Sequence, residues 1–359
     1  MEDLALKEDS IDSAADDGTV DKSSSGNGIR TGAEYLEGLR DKREVWTRGR
    51  RVEDVTKEPG MARGAATLAS FLDRQHDPKY RDTITYVDGD GDRCAMAFLP
   101  PKSKDDIKAR GRAYYKWATW SNGMFGRTPD YKNASMMAFA HAPGFLKQGT
   151  KGPGGEVFAR NMANFYEHAR KHDKVLTHTL VNPTFNYQLA QAGKFSGEVA
   201  LQVVEERDDG IVVNGARLLA TLGPFSDEIE VFPSTVLKDT EDNVPYAFAF
   251  ALPIATPGLK LICRDSYDHG KSTFDAPLAS RFEEMDAVVI FENVFVSWER
   301  VFLYGEPSLC NQAFTATNAV VHMMHQVICG KLAKTEFMVG LMTKIAAATG
   351  RIRRAAWPW

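Results

Sequence analysis

The stretch Trp120-Ser-Asn-Gly-Met-Phe-Gly-Arg-Thr-Pro-Asp-Tyr-Lys132 carries the clearest local signal in this sequence. Thr128 followed by Pro129 is typical of a helix start, because threonine caps free backbone N–H groups and proline fits the first helical position. The sequence therefore predicts that a helix begins here. Arg127 would lie immediately before that helix, and Tyr131 would lie about one turn further on.

Arg127 occupies an electrostatically costly position, because the positive end of the helix macrodipole repels a guanidinium group. The position becomes favourable if an anion, such as a phenolate or a peroxide, is held between the helix end and Arg127. Tyr131 could project toward the same ligand. The alternative is that Arg127 pairs with a surface carboxylate, an arrangement that needs no ligand.

Helical patterns dominate the sequence up to about residue 174. Thr31-Gly-Ala-Glu34 is a capping-box pattern that predicts the start of a helix. The apolar face of that helix would be formed by Tyr35, Leu36, Leu39 and Trp46. Further helices are predicted at Ala62–Arg74, Ser103–Ser121 and Glu156–Lys171. Two short strands, Thr83–Val87 and Arg93–Leu99, flank an Asp/Gly turn and predict a hairpin.

Strand patterns replace the helical ones near Val175. Alternating apolar residues begin at Val199, and the turn Asp208-Asp209-Gly210 leads to a return strand at Ile211–Val213. Further strands are predicted at Glu230–Phe232, Tyr246–Leu252, Leu259–Cys263 and Ala287–Val296. From Gln312 the pattern is helical again until Gly350, which is typical of a helix C-cap.

Two motifs imitate metal sites. Asp88-Gly-Asp-Gly-Asp92 resembles the start of a calcium loop, but Arg93 stands where that loop needs glycine and Leu99 where it needs a bidentate glutamate. We interpret this segment as a hairpin turn. His322 and His325 lie three residues apart on a predicted helix, but without the glutamate of an HExxH motif a packed or solvated pair is favoured. The sequence also lacks dinucleotide-binding, Walker and GxSxG motifs.

Composition argues against several classes of protein. The 44 Lys and Arg residues against 48 Asp and Glu give a net charge of −4, and no basic block offers a footprint for nucleic acid. The four cysteines form no CxxC pair, which argues against a disulfide framework or structural zinc. The sequence does not open with a signal-peptide pattern, and no apolar run reaches the roughly 18 residues that span a bilayer. The sequence therefore predicts a cytoplasmic protein that binds neither nucleic acid nor membrane.

Four blocks, in this order, resemble the 4-hydroxyphenylacetate 3-hydroxylase family, the oxygenase components of two-component flavin monooxygenases. The blocks are Gly126–Tyr131, Leu176–Pro183, Asp209–Pro224 and Phe291–Arg300. The resemblance extends from about Arg30 to Gly350. It implies an α+β, acyl-CoA-dehydrogenase-like fold with an N-terminal helical domain, a middle antiparallel β-barrel domain and a C-terminal helical bundle that assembles homotetramers.

On this basis the chain divides into five predicted segments. Residues 1–27, which are acidic and rich in Ser and Gly, form a disordered tail. Residues 28–174 form the N-terminal helical domain, 175–305 the middle β domain and 306–350 an incomplete C-terminal helical domain. Residues 351–359 depart from the family pattern. This departure predicts a truncated chain that lacks later flavin contacts and much of the tetramer core.

The resemblance also implies a site. Its phenol-binding and catalytic trio would be Arg127, Tyr131 and His178: a fixed cation, a hydrogen-bonding group, and a base or donor that titrates near the working pH. Ser234 is a further substrate candidate. The loop Gly149–Gly155 lengthens the interval between Arg127 and His178, so the pocket entrance is expected to differ from that of simpler members. The implied flavin contacts are His178, Thr179, Leu180, Thr184, Phe185, Asn186, Tyr187 and Thr221.

The implied reaction is ortho-hydroxylation of a small phenol, similar to 4-hydroxyphenylacetate, to a catechol. O2 and FAD in its reduced form, delivered by a separate flavin reductase, would supply the chemistry, and no metal is implied. Two alternatives stay open. The chain could be an inactive remnant that only binds flavin or joins other subunits. An enzyme similar to 4-hydroxybutyryl-CoA dehydratase would need cysteine ligands for an iron–sulfur cluster, but no cysteine lies between Cys94 and Cys263.

Overall fold

The structure is a computed structural model that describes residues 28–183, 199–232 and 236–351. The predicted tail at 1–27 lies outside these ranges, as does all of the predicted tail at 351–359 except Arg351. Among the helices within these ranges, none is long and apolar enough to cross a membrane.

Seven α-helices lie in the described chain before residue 175, and they include those predicted from the sequence. The predicted capping box opens the first helix: the Thr31 hydroxyl accepts a hydrogen bond from the Glu34 N–H at 3.2 Å, and the Glu34 carboxylate accepts one from the Thr31 N–H at 2.7 Å. Ser103 and Asp106 form the same motif before the fourth helix. The helices are α1 (Gly32–Gly38), α2 (Ala62–Asp73), α3 (Arg81–Ile84), α4 (Lys104–Trp120), α5 (Pro129–Ala140), α6 (Pro143–Leu146) and α7 (Gly155–Lys171).

The strands form two larger sheets and a separate hairpin. The first sheet has the order β2-β1-β10-β11-β7-β6, and the second has the order β12-β9-β8-β5. The first contains β1 (Glu44–Thr47), β2 (Arg50–Val52), β6 (Gln202–Arg207), β7 (Gly210–Thr221), β10 (Leu259–Cys263) and β11 (Asp286–Ser297). The second contains β5 (Leu176–Thr179), β8 (Glu228–Val231), β9 (Phe248–Pro253) and β12 (Val301–Tyr304). The hairpin consists of β3 (Thr85–Val87) and β4 (Arg93–Ala95).

Trp46 does not continue α1, contrary to the prediction. It lies in β1, where it is the register partner of Ile262 in the parallel strand β10. Pairing with this distant strand satisfies the backbone N–H and C=O groups of β1, and tertiary contacts of this kind override a local helical pattern.

The mixed helix and sheet content agrees with the predicted α+β class, but the described strands form two sheets and not a closed barrel. The pairs β1–β10 and β5–β8 are parallel, so the β domain is not fully antiparallel either. The chain changes direction after β7, where Leu222 adopts a left-handed conformation and a 3₁₀ turn follows at Gly223–Phe225. This turn carries the chain from the first sheet into the second, which a pattern of alternating residues does not reveal.

Apolar residues from the sheets and the N-terminal helices share one buried core. Its members include Leu68, Phe71, Val213, Ile229, Phe250, Leu261 and Phe291. Helix α5 is also enclosed, because every residue from Pro129 to Phe139 is buried. The helix predicted to start at Thr128 and Pro129 therefore lies inside the protein, whereas Gly126 before it is exposed and Arg127 is half-buried.

Two C-terminal helices follow the sheets, α8 (Pro307–Ala316) and α9 (Ala319–Ala348). Gly350 has a φ of +70° and closes α9, where the Arg351 N–H donates to the Ala346 carbonyl at 2.9 Å. The predicted C-cap is confirmed.

The two motifs that imitate metal sites have structural roles. The Asp88 carboxylate accepts hydrogen bonds from the N–H groups of Asp90 and Asp92 at 2.9 and 2.8 Å, which stabilises the turn of the predicted hairpin. His322 Nδ1 lies 3.3 Å from a guanidinium nitrogen of Arg110, and His325 packs edge-on against a tyrosine ring. In the ranges that the structure describes, no group of three or more His, Cys, Asp or Glu side chains could hold a metal ion.

Candidate functional site

Helix α5 begins where the sequence predicted. Thr128 is its N-cap residue with an extended backbone, and Pro129 is the first helical residue. The Thr128 hydroxyl does not cap a backbone N–H group but donates to the carboxylate of Asp130 at 2.5 Å. Arg127 therefore stands directly before the helix, and the buried first turn carries its own carboxyl group.

The Arg127 guanidinium lies over the ring of Tyr131, with its central carbon 4.2 Å from the ring centroid. It also donates to the Gly126 carbonyl at 3.2 Å. A cation over an aromatic face is held by the ring quadrupole, so the pair is preorganised. Burial raises the pKa of Tyr131, and the positive charge of Arg127 opposes that rise.

His178 completes the cluster from the other side. It lies in β5, and its ring centroid is 5.8 Å from that of Tyr131 with the two planes inclined by 39°. Burial lowers the pKa of His178 well below its ordinary value, and the cations Lys132 and Arg127 lower it further. The imidazole is therefore neutral at physiological pH, whereas the sequence led us to expect a pKa near the working pH.

Glu284 holds the backbone before α5. Its carboxylate accepts a short hydrogen bond from the Gly126 N–H, and its carbonyl accepts one from the Leu222 N–H at 2.8 Å. Burial raises the pKa of Glu284, while the N–H groups of Gly126 and Arg127 oppose that rise. Within the described residues, Arg127 is a partner in none of the close ion pairs, but its positive charge also opposes the rise in the pKa of Glu284.

A buried ion pair lies next to the cluster. Lys132 Nζ is 2.6 Å from Glu230 Oε2, and the two side chains are 3% and 0% exposed. Burial raises the pKa of Glu230 to about 7, although Lys132 opposes the rise. Glu230 lies in β8 and is the register partner of His178 in β5.

The predicted flavin positions lie where β5 crosses β7. The buried Thr179 hydroxyl donates to the Leu218 carbonyl at 2.8 Å, and the Leu180 carbonyl accepts from Arg217 at 2.9 Å. Thr221 is half-buried, and its hydroxyl donates to Asp286 at 2.6 Å. The other predicted flavin contacts, Thr184, Phe185, Asn186 and Tyr187, fall outside the described residues, as does the substrate candidate Ser234.

Several buried polar atoms beside this crossing lack hydrogen-bond partners within the described part of the chain. They are Nε and Nη2 of Arg217 and Oδ1 of Asn182. Buried polar atoms are normally paired, so unpaired ones indicate where a polar ligand can bind. A flavin ring system presents both hydrogen-bond donors and acceptors. The donors of Arg217 and the acceptor of Asn182 therefore match the polar groups of a flavin.

An open cleft of about 320 Å³ borders both regions, because its walls include Glu284, which binds the Gly126 N–H, and Asp286, the partner of Thr221. Arg264 stacks on Tyr267 in this cleft, with 4.3 Å between the guanidinium carbon and the ring centroid. The remaining walls are Met124, Leu278, Ala279 and Phe282. The volume lies within the range of small-molecule sites.

Sequence reasoning named Arg127, Tyr131 and His178, and the structure brings these three together. It missed Lys132, Glu230 and Glu284. No spacing in the sequence links Glu284 to Gly126, since 158 residues separate them. The only available sign was Lys132 itself, a lysine in a helix whose neighbours are otherwise mostly apolar or small.

Comparisons with known proteins agree on one family. The family model described as "4-hydroxyphenylacetate 3-hydroxylase N terminal" matches residues 31–303. The oxygenase component of 4-hydroxyphenylacetate 3-monooxygenase from Geobacillus sp. (strain PA-9) is 47% identical over 326 residues, and that from Thermus thermophilus is 45% identical over 322. Each alignment covers 89% of this chain and 64% of the relative.

Solved structures give the same result. The oxygenase component of 4-hydroxyphenylacetate 3-monooxygenase, in complex with FAD and 4-hydroxyphenylacetate, matches with a TM-score of 0.81 and 44% identity, over 89% of this chain and 64% of that one. A 4-hydroxybutyryl-CoA dehydratase from N. maritimus matches with a TM-score of 0.75 but only 18% identity, over 89% of this chain and 62% of that one, which shows a shared fold alone. This chain thus spans about 64% of the length of the curated relatives.

Proposed function

Because this chain belongs to the 4-hydroxyphenylacetate 3-hydroxylase family, as the sequence predicted, we propose that it acts in the hydroxylation of a small phenol beside its hydroxyl group. We further propose that it uses O2 and reduced FAD supplied by a separate reductase. The family is established by the match over residues 31–303. The reaction and its partners are proposals, because the chain covers 64% of its relatives.

The observation that carries this proposal is the convergence of three groups from two distant parts of the chain. Arg127 lies over Tyr131, and Tyr131 lies beside His178. The phenol substrate must become electron-rich before it is oxidised. A cluster that combines a cation, a tyrosine hydroxyl and a neutral imidazole is suited to bind a phenol in that state. The Geobacillus, Thermus thermophilus and Escherichia coli relatives are all named for 4-hydroxyphenylacetate, which supports a substrate of this class.

Each residue has a separate task in this proposal. The Arg127 guanidinium stabilises negative charge on the phenol oxygen, and the Tyr131 hydroxyl donates a hydrogen bond to the same atom. The unprotonated His178 nitrogen accepts the proton that the phenol loses. His178 can take this role because its low pKa leaves it neutral before the substrate binds.

Reduced FAD, when bound, would supply the oxygen-activating chemistry. The residues that would hold it are Leu180 and Thr221 at the strand crossing, with Asn182 and Arg217 offering the unpaired polar atoms beside them. The surrounding protein would exclude water from the reacting atoms.

The proposal is tested with the purified 359-residue chain and FAD that has been reduced photochemically without oxygen. The protein is mixed with 4-hydroxyphenylacetate and oxygenated buffer in the presence of catalase, and the catechol is measured by chromatography. We expect catechol in proportion to reduced FAD. Flavin binding without catechol, at any phenol tried, would favour the remnant alternative.

A second measurement addresses the electron donor. The chain lacks a dinucleotide-binding fingerprint, so we expect no NADH oxidation without a reductase. Direct NADH oxidation by the purified chain would contradict the two-component proposal.

A further inference from the structure

We propose that Lys132 and Glu230 are positioning residues for the phenol site: they hold Tyr131 against His178 and keep a fixed cation beside the imidazole. This inference rests on the proposed function for its meaning, but its first test does not depend on catalysis. Lys132 and Glu230 act on the site through their neighbours: Lys132 follows Tyr131 in α5, and Glu230 pairs with His178 across the sheet.

Strand register brings the pair into place. β5 and β8 run parallel, and His178 pairs with Glu230. Side chains at paired positions of neighbouring strands project from the same face of a sheet. His178 and Glu230 are therefore neighbours on the face that meets α5.

Helix α5 supplies the partners for both residues. Tyr131 contacts His178 through its ring, and Lys132, the next residue, contacts Glu230 at 2.6 Å. The two contacts lie side by side across one helix–sheet interface. A shift of α5 that separated Lys132 from Glu230 would also move Tyr131 relative to His178.

The ion pair is fully enclosed, which makes its geometry demanding. Within the described residues, both carboxylate oxygens of Glu230 and the ammonium nitrogen of Lys132 lack a hydrogen bond of good geometry, although the ion-pair contact is close. Burying two charges costs more than an apolar pair of the same size would, so such pairs are weak evidence for a purely stabilising role. A role in the neighbouring site accounts for their presence.

The charge of Lys132 acts on His178. The other charged or titratable groups around His178 in the described chain are Arg127 and Tyr131 on the α5 side and Glu230 on β8, while Arg217 of β7 bonds to the Leu180 carbonyl. A cation disfavours the charged form of a nearby imidazole. Lys132 thus keeps His178 unprotonated before the phenol binds, and Arg127 acts in the same direction.

The first test follows the protonation of His178 without any reaction. The chain contains eight histidines, so the His178 resonance is assigned in histidine-labelled protein by its loss in His178→Asn. The titration is then compared between the natural chain, Lys132→Met and Lys132→Arg. We expect Lys132→Met to shift the His178 titration upward by on the order of one pH unit. Lys132→Arg, which keeps the charge, should leave the titration unchanged.

Lys132→Met leaves the charge of Glu230 buried without its partner. The double variant Lys132→Met/Glu230→Gln is therefore measured as well, because it keeps the approximate volume of both side chains and removes both charges. The double variant should shift His178 upward as well. A matched control is Arg30→Met, which breaks the ion pair between Arg30 and Asp227, whose charged atoms lie 2.6 Å apart. Asp227 lies three residues before Glu230, but this ion pair is away from His178. It should lower the melting temperature and leave the His178 titration unchanged.

The second test measures catechol formation against pH. In Lys132→Met the acid limb of the profile should move upward together with the His178 titration. An unchanged His178 titration in folded Lys132→Met and in the folded double variant Lys132→Met/Glu230→Gln would overturn the inference, even if catechol still forms. A shifted titration in a chain that makes no catechol would leave the inference standing and count against the proposed function instead.

Discussion

At the scale of single residues, the start of α5 gathers charge from several directions. Arg127 stands at the positive end of the helix, Glu284 binds the backbone N–H of Gly126, and Asp130 lies buried in the first turn. Since these two carboxyl groups already occupy the helix end, the Arg127 guanidinium is left over the Tyr131 ring. In the proposed function this positive charge faces the phenol oxygen, and it also acts on the Glu284 carboxyl group.

Arg127→Ala should lower catechol formation by about a hundredfold or more, because a preorganised charge opposite a developing anion contributes on that scale. Hydrogen peroxide should still form, since oxygen can react with reduced FAD without a bound phenolate. Arg127→Lys should recover little activity, because a point charge does not reproduce a planar guanidinium. Both products are measured after single turnovers, and an unchanged catechol yield in Arg127→Ala would remove Arg127 from the site.

Asp130 should make stability depend on pH. Burial raises its pKa from the ordinary 3.8 to about 7. A carboxyl group whose pKa is higher in the folded protein favours folding at low pH, and that contribution is lost as the pH rises through about 7. Asp130→Asn should therefore gain unfolding free energy relative to the natural chain between pH 5 and 8, by on the order of 2 kcal/mol.

Urea denaturation at the two pH values measures this gap. Substitution of the exposed Asp239 by Asn serves as the control. The difference in unfolding free energy between Asp239→Asn and the natural chain should be small and equal at the two pH values. A gap for Asp130→Asn that does not change with pH would mean that Asp130 is ionised in the folded protein throughout.

At the scale of elements, the enclosure of α5 depends on α9. Met323, Gln326 and Ala333 are the buried residues in the body of α9, and the Gln326 amide donates to Thr128 and Asp130 at 3.2 Å. The long C-terminal helix therefore reaches the residues that start α5. Its position bears on the site although it contributes none of the predicted site residues.

Gly123 marks the closest approach between the α4–α5 connection and α9. Its φ is +67°, and a Cβ atom placed there would lie 2.6 Å from the backbone N of Lys334 and 2.7 Å from the Gly330 carbonyl. Gly123→Ala should destabilise the protein by about 2–4 kcal/mol, because both the backbone conformation and the helix contact oppose a side chain.

Gly340→Ala is the matched control, since a Cβ at this exposed position of α9 would meet no atom within 4 Å. It should stabilise the helix by about 0.5–1 kcal/mol. Thermal and urea denaturation of both variants test the pair. Equal effects of the two substitutions would show that α9 does not press on the α4–α5 connection.

At the scale of the whole molecule, α9 leaves an apolar surface uncovered in the described chain. Ile328 is 62% exposed and Leu332 is 51% exposed, and Phe337 is half-buried. The other exposed apolar residues of α9 are Val320, Val321, Met324, Met338, Val339, Leu341, Met342 and Ile345. A contiguous apolar surface of this kind promotes association between molecules.

The 359-residue chain alone should therefore form oligomers of irregular size. Ile328→Lys combined with Leu332→Lys should shift the mass distribution toward the monomer, because two charges interrupt the apolar surface. Size-exclusion chromatography with light scattering measures the change, with exposed Thr335→Lys as a control that adds charge without removing apolar area. A uniform tetramer that persists in the double variant would contradict this role for the surface.

The sequence alone was enough to predict the family and the helix starts at Thr31, Ser103 and Thr128. It also determined the turn at Asp88, because capping, turn formation and alternation depend on residues a few positions apart. The resemblance of the four blocks to the family likewise implied the trio of Arg127, Tyr131 and His178. Helix starts and tight turns were therefore predictable, because each depends on a single short stretch of sequence.

The folded structure was needed for the remaining features. It placed Trp46 in a sheet, divided the strands between two sheets, and joined Lys132 to Glu230 and Gly126 to Glu284. These contacts join segments that are distant in the chain and leave no periodic mark in it. They form because a buried backbone or charged group needs a hydrogen-bond or ion-pair partner. That partner comes from whichever element packs next to the group in the folded protein, even when it is distant in the sequence.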